Sequence, residues 1–494
     1  MGKSEQVGII FPEILIPEEK INPKKWAVVA CDQFTSNEDY WIKTSKIVGG
    51  SPSTLHIILP EVFLKDEDID ERIAHAKETM SNYIEDAVLV RLPKGVILVE
   101  RKTSYGTRVG IMLAVDLEKY DIDHTKKPLI RATEQTVIER IPPRMKLREE
   151  AVLECPHVML MINDIKNTVI GPVYEARDKY SKVYDTSLIQ DGGHIKGWFI
   201  DDEQIQDGII EALDRLRLKS QDGMLFAVGD GNHSLVSAKA VWDKQKAGMT
   251  EEQRQNSPLR YALVEVINLY DNGISMNPIH RVLFNIEAPN ALRTLVSILS
   301  GMGLKARMMY TRGGAKVHTK EGVQSILFES KMSKGRIEIA NPPHDLLSVT
   351  LTLALDKLLK EFPRAEIDYI HGDEEFHELA KGHACLGFMM EPMTKESLFE
   401  SVIEYGVLPR KSFSLGNAEE KRYYFECRLL VEAKEEPEQE ESLLPQQDDT
   451  QIVEQPSHDL QTEDYAAGDA MEIEENKRYS RKPKKGLFGR KREK

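Results

Sequence analysis

The sequence predicts a mixed α/β protein, and three observations carry that prediction. Short apolar runs alternate along residues 7–431 with longer stretches of helix-forming residues. One segment, Leu225 to Leu235 (LFAVGDGNHSL), reads as a strand, a glycine turn and a helix start in succession. From Glu432 onward the periodicity stops, and the chain becomes first acidic and then basic.

In order, the strand-like runs are Trp26–Cys31, Leu55–Leu59, Val88–Leu92, Val96–Glu100, Val109–Asp116, Val158–Asn163, Leu225–Gly229 and Tyr261–Asn268. The helix-like stretches are Glu67–Tyr83, Asp202–Leu218, Ser234–Ala247, Pro289–Met302, Leu347–Phe362 and Phe376–Ala380. Tyr180–Ile200 is rich in Gly and Asp and reads as a connection with a short hairpin. The turn Asp271-Asn272-Gly273, with Pro278 behind it, suggests a boundary. The expected organisation is an N-terminal α/β region over 1–270, a C-terminal α/β region over 271–431 and a disordered tail over 432–494. No internal repeat is visible.

Composition narrows the function classes. A chain of 494 residues, 41% hydrophobic, suffices for one large or two medium domains. No apolar run reaches the length of a membrane span, and the first ten residues lack a secretory pattern. Gln6 occupies the position where a myristoylation signal needs a small hydroxyl residue. Cys31, Cys155, Cys385 and Cys427 are too scattered for a disulfide framework or a paired metal site, so a reducing cytoplasm is the expected compartment. The net charge of −15 is concentrated in the acidic part of the tail, while Lys477–Lys494 is strongly basic. That basic tip either contacts nucleic acid or anionic lipid, or is simply solvated. An acidic remainder argues against DNA as the main target.

The turn after Leu225–Gly229 is the first candidate site. Unpaired N–H groups and the dipole of a first helical turn favour phosphate or carboxylate. Gly231, Asn232 and Ser234 would line such an anion site. Asp230 adds a carboxylate able to hold Mg²⁺, and His233 a proton-transfer group. The competing reading is ordinary turn and N-cap chemistry, which needs no ligand.

Three further clusters are candidates. Arg131, Glu134, Arg140 and Arg144 crowd a segment where Pro142-Pro143 interrupts any helix. They form either a surface ion-pair network or a catalytic carboxylate among phosphate-binding arginines. His371 ends a strand-like run before Gly372-Asp373-Glu374, where the acidic residues also suit a helix start. Lys411 offers a charge for a phosphate or carboxylate, and Asp32 follows the Trp26–Cys31 run as either a ligand group or a cap.

GDGNHS with the following LVSAKAVW resembles the signature of the prokaryotic domain of unknown function 1015 family. Trp26–Trp41, Leu129–Arg144, Ile367–Glu375 and Val407–Ser414 resemble other blocks of that family in the same order, over residues 7 to 430 or so. More distantly, the turn is similar to that of ParB-like and sulfiredoxin-like domains, which include kinases of free serine. The resemblance implies a ParB/sulfiredoxin-like anion-binding unit elaborated by flanking domains. Two departures stand out: Asn232 replaces a Cys, so sulfinic acid chemistry is unsupported, and Ser234 replaces a phosphate-gripping Arg.

Three readings follow. The first is a small-molecule kinase that uses ATP or ADP with Mg²⁺ at Asp230–Ser234. There Glu134 or Asp230 orients an acceptor hydroxyl, with serine as an example. The second is a phosphatase or nucleotide hydrolase at the same site. The third is a non-catalytic, ParB-like nucleotide sensor. The first is the expectation carried forward, against which stands the absence of a GxxxxGK[ST] loop.

Overall fold

The computed structural model describes residues 2–432, apart from 36, 124, 312–321, 341 and 343–345. The mixed α/β class expected from the sequence is the architecture observed. The acidic and basic stretches of the tail, 433–494, lie outside the described residues. Among the described residues no helix is long and apolar enough to cross a membrane.

A nine-stranded sheet organises the larger body. Its strands are β1 (Ile9–Ile10), β2 (Val96–Lys102), β3 (Thr107–Asp116), β4 (Ile130–Ala132), β5 (Met159–Ile162), β6 (Lys182–Ser187), β7 (His194–Ile200), β8 (Phe226–Asp230) and β9 (Tyr261–Asn268). The order is β4-β8-β5-β9-β3-β2-β7-β6, with β1 also paired to β3. β8 runs parallel to β4 and antiparallel to β5, so the sheet is mixed. Side chains alternate between its faces as strand geometry demands. Ile97 and Val99 pack with Trp26, Tyr423 and Phe425, whereas Val96 and Leu98 pack with Leu213, Leu235 and Trp242.

Four helices matter for the site: α1 (Ile69–Glu85), α2 (Ile141–Arg148), α3 (Glu203–Lys219) and α4 (Asn232–Lys246). Asp202 caps α3, accepting from the N–H groups of Gln204 and Ile205. Pro142 and Pro143 do not break α2 but stand in its first turn, where a missing N–H and a fixed φ cost nothing.

A second, six-stranded sheet runs between Ile279 and Met389. After it the chain returns to the first body. The Leu408 N–H donates to Thr133 O, and Arg428-Leu429 pair with Leu153-Glu154. Residues 408–430, grouped by sequence with the second region, thus complete the core of the first. A buried ionic network fastens them. Arg422 bonds Glu265, Glu426 and the Pro156 carbonyl, while Glu154 takes Arg428 at 2.6 Å and Arg148 at 2.5 Å.

Three expectations need correction. Trp26–Cys31 is not a strand of the sheet. Trp26 closes a short helix, and the buried run behind it bonds Arg422 O and Tyr424 N through the single bridge Val29–Tyr423. Leu55–Leu59 begins in a 3₁₀ turn, because Ser53 accepts from the Leu55 N–H and Thr54 donates to Trp26 O. Tyr180–Ile200 contains the expected hairpin but is no mere connection, since its two strands, β6 and β7, form one edge of the central sheet.

Candidate active site

The strand–turn–helix read from Leu225 onward is present as β8, Gly231 and α4. Gly231 holds φ +74°, a conformation that favours glycine. A Cβ there would lie 2.8 Å from the Val158 Cα, so the turn also needs glycine for close approach. Because Gly231 is the N-cap, no side chain caps the first turn of α4. Asp230 is not a cap: its Oδ1 accepts from the Gly231 N–H at 2.8 Å and its Oδ2 faces Lys421 Nζ at 3.1 Å. The N-cap half of the competing reading is therefore absent, while the bond from the Gly231 N–H to Asp230 is ordinary turn chemistry.

Loop 133–137 is laid over this turn by parallel pairing of β4 with β8, and Thr133 Oγ1 donates to Val228 O. The Asn232 side chain is spent on that scaffold. Its amide donates to Thr136 Oγ1 at 2.9 Å, and its oxygen accepts from Tyr120 OH at 3.0 Å. His233 Nε2 accepts from the Val137 N–H at 3.0 Å. Burial, followed by the charges of Arg144 and Arg140, pushes His233 down to about 4. The ring is neutral near pH 7, with its remaining proton on Nδ1.

Two clusters flank the turn. In the first, Glu61 takes both Arg140, at 2.9 Å, and Arg144. Asp32 Oδ2 lies 3.6 Å from His157 Nε2, Ser234 Oγ is 3.5 Å from the same nitrogen, and Tyr424 OH is 2.6 Å from His157 Nδ1. Against its burial, the Asp32 carboxyl is held well below the usual carboxylate range by His157 and then Arg144. In the second cluster, Asp230 pairs with Lys421, and His371 ends its strand near Lys411 and Lys421. Burial and then these two lysines press the His371 pKa down.

The structure therefore brings together Asp32, Arg140, Arg144, Asp230, His233 and Ser234. Arg131 is placed elsewhere, paired with Asp222 at 2.8 Å and donating to Pro128 O, so it is corrected from phosphate ligand to local ion pair. Glu134 has a positioning duty: its carboxylate accepts from the N–H groups of Lys411, Ser412 and Phe413. Those bonds hold Lys411 at φ +62°. At Asp230 one oxygen accepts from a backbone N–H and the other faces an ammonium, and the described residues contain no group of three or more metal-ligating side chains, so Asp230 could hold Mg²⁺ only as a single carboxylate sharing the ion with nucleotide phosphates.

Sequence reading missed Glu61, His157, Lys421 and Tyr424. Lys421-Arg422-Tyr423-Tyr424-Phe425-Glu426-Cys427-Arg428 carried a usable signal, namely charges spaced through an apolar run that fits no amphipathic period.

The His233 shift gives a first prediction. Its folded pKa lies below the unfolded value of 6.5, so unfolded chains take the proton first as pH falls. The stability this group contributes is fully present above about pH 6.5 and is lost on the way to about pH 4. Urea midpoints at pH 7 and pH 4.5 should therefore differ less for His233→Gln than for the wild type. Equal differences would contradict the assignment.

Among known proteins, the chain is similar in structure to a free serine kinase in complex with AMP (TM-score 0.34, 14% identity), covering 62% of this chain and 88% of that one. It is similar to a conserved hypothetical protein from Pyrococcus furiosus (TM-score 0.32, 13% identity), covering 62% and 90%. SbnI with a C-terminal truncation from Staphylococcus aureus matches at TM-score 0.32 and 10% identity, covering 62% and 82%. No curated protein matches the chain. The carboxy-terminal blocks Ile367–Glu375 and Val407–Ser414 lie beyond the residues matched by the family model. That model, described as Protein of unknown function (DUF1015), matches residues 14–339, and the chain belongs to this family.

Proposed function

We propose that the chain is a nucleotide-dependent phosphotransferase that acts on a hydroxyl of a small molecule, with ATP or ADP as donor. The observation that carries this reading is the first turn of α4. It is uncapped by any side chain, and Arg140 and Arg144, which share the single carboxylate of Glu61, stand close enough to add to the effect of burial in lowering His233. A bare helix N-terminus beside two guanidiniums is unfavourable until an anion arrives.

In this reading the terminal phosphate sits on that turn, with Ser234, the His233 Nδ1–H, Arg140 and Arg144 as donors. The acceptor hydroxyl oxygen forms the new bond to the terminal phosphorus. The bond from phosphorus to the bridging oxygen breaks, and the shortened nucleotide leaves with that electron pair. The hydroxyl proton passes to His157 Nε2. This uses the tautomer in which the Nδ1 proton is donated to Tyr424, 2.6 Å away, and Asp32 stabilises the imidazolium. Asp230 and Lys421 brace the turn.

Incubation with terminally labelled ATP and a panel of small hydroxy acids tests the reading. Label should move to an acceptor, and His157→Gln should slow the transfer about a hundredfold or more. Label released as free phosphate without any acceptor would make the protein a hydrolase instead. Label that never leaves the nucleotide would contradict both.

A further inference from the structure

Beside the first turn of α4 lies a cavity of about 110 Å³ whose apolar wall has no part in the phosphate-transfer chemistry of the turn. Much of its wall is apolar, with Ile58, Met80, Leu147, Ala238 and Leu263 on it. Arg144, His157 and Ser234 also line it, and these are the groups of the flanking cluster. Arg144 is 8% exposed, yet its Nε has no hydrogen-bond partner. A buried guanidinium N–H without an acceptor is costly, and a ligand carboxylate supplies one. The protein's own carboxylates do not reach that Nε: Glu61 pairs with the Arg144 Nη2 and with Arg140, and Glu154, on the cavity wall, is consumed by Arg148 and Arg428.

Size sets the rest of the ligand. An apolar cavity of about 150 Å³ holds benzene, with its six carbons. On that scale the 110 Å³ here admits roughly four carbon atoms. Serine, with its short polar body, would leave the apolar wall unfilled.

We propose that this cavity is the acceptor subsite. It takes a small hydroxy acid whose branched aliphatic body of roughly four carbons fills that volume, while its carboxylate and hydroxyl lie outside it, on the polar side of the wall toward Arg144 and His157. The word acceptor rests on the phosphotransferase reading, whereas the ligand class rests on the cavity alone.

Calorimetric titration of the nucleotide-free protein with hydroxyisovalerate, lactate and serine tests it. Hydroxyisovalerate should bind at least about tenfold more tightly than the other two, the worth of added methyl groups in an apolar pocket. Leu147→Ala enlarges the wall and should move the preference to the longer hydroxyisocaproate, and Ala238→Phe should fill the cavity and abolish hydroxyisovalerate binding. Both variants must retain a cooperative thermal transition for the comparison to count, and either one alone suffices. Serine or lactate bound as tightly as hydroxyisovalerate would overturn the proposal, as would an unmoved preference in Leu147→Ala. A parallel ATP titration separates the two readings. Hydroxyisovalerate binding without ATP binding upholds the ligand class and removes the phosphotransferase, whereas ATP binding without hydroxyisovalerate binding overturns the cavity proposal alone.

Discussion

Replacing Arg422 with Met should cost about 3–5 kcal/mol of folding stability, the usual loss when one partner of a buried ion pair is removed. Arg422 is 2% exposed and is the shared partner of Glu265 and Glu426, both fully buried. Without it, among the described residues, Glu426 keeps only the Tyr184 hydroxyl, and Glu265 keeps Arg108 at 3.5 Å. A loss of that size is a large share of the roughly 5–15 kcal/mol that holds an ordinary domain together. The site would suffer as well, because Lys421 and Tyr424, flanking Arg422 and Tyr423, hold Asp230 and His157. Urea unfolding of Arg422→Met against the double variant with Glu426→Gln checks this. The double variant should recover part of the loss, since Glu265 keeps Arg108 and the Glu426 carboxylate is no longer buried without a cation. A loss under about 1 kcal/mol in Arg422→Met, the range of an exposed ion pair, would mean that the network does not fasten the C-terminal segment.

Gly231→Val should abolish nucleotide binding while leaving a folded protein. The substitution meets two penalties. A side chain at φ +74° costs about 1–2 kcal/mol, and a Cβ placed 2.8 Å from the Val158 Cα presses on backbone that has no rotamer to yield. Relief requires the first turn of α4 to move away from β5, carrying Asn232, His233 and Ser234 off their partners. Gly223→Ala is the matched control, because φ there is +81° but nothing lies within 4 Å of the added Cβ. It should lose stability without losing nucleotide affinity. Equal affinities in wild type and Gly231→Val would contradict the placement of the anion site on this turn.

What was legible in the sequence followed from local chemistry. β8, Gly231 and α4 were readable because an apolar run, a glycine pair and a stretch of helix formers occur in sequence there, and Tyr261–Asn268 matched its strand end to end. Trp26–Cys31 was misread because an apolar run records burial without recording its hydrogen-bond partner. That partner, Arg422 to Tyr424, lies nearly four hundred residues away. The candidate site divided in the same way. Asp32, His233, Arg140 and Arg144 announced themselves by residue type beside turns. The choice between Arg131 and Arg144 did not, because it depends on Asp222 and Glu61, neither of which is near in sequence. His157 was invisible for the same reason, as a lone histidine before a strand whose neighbours Asp32, Ser234 and Tyr424 come from three distant segments.

Calorimetric titration of ATP and ADP into wild type, Arg140→Gln and Arg131→Gln tests the anion site most directly. Arg140 is 40% exposed on its side chain, so its removal should not unfold the chain. Arg131 is tied to Asp222 outside the site. The account predicts that wild type and Arg131→Gln bind alike and that Arg140→Gln binds about tenfold or more weakly, the worth of one charge-assisted hydrogen bond. No heat with either nucleotide in wild type, or equal affinity in Arg140→Gln, would contradict it.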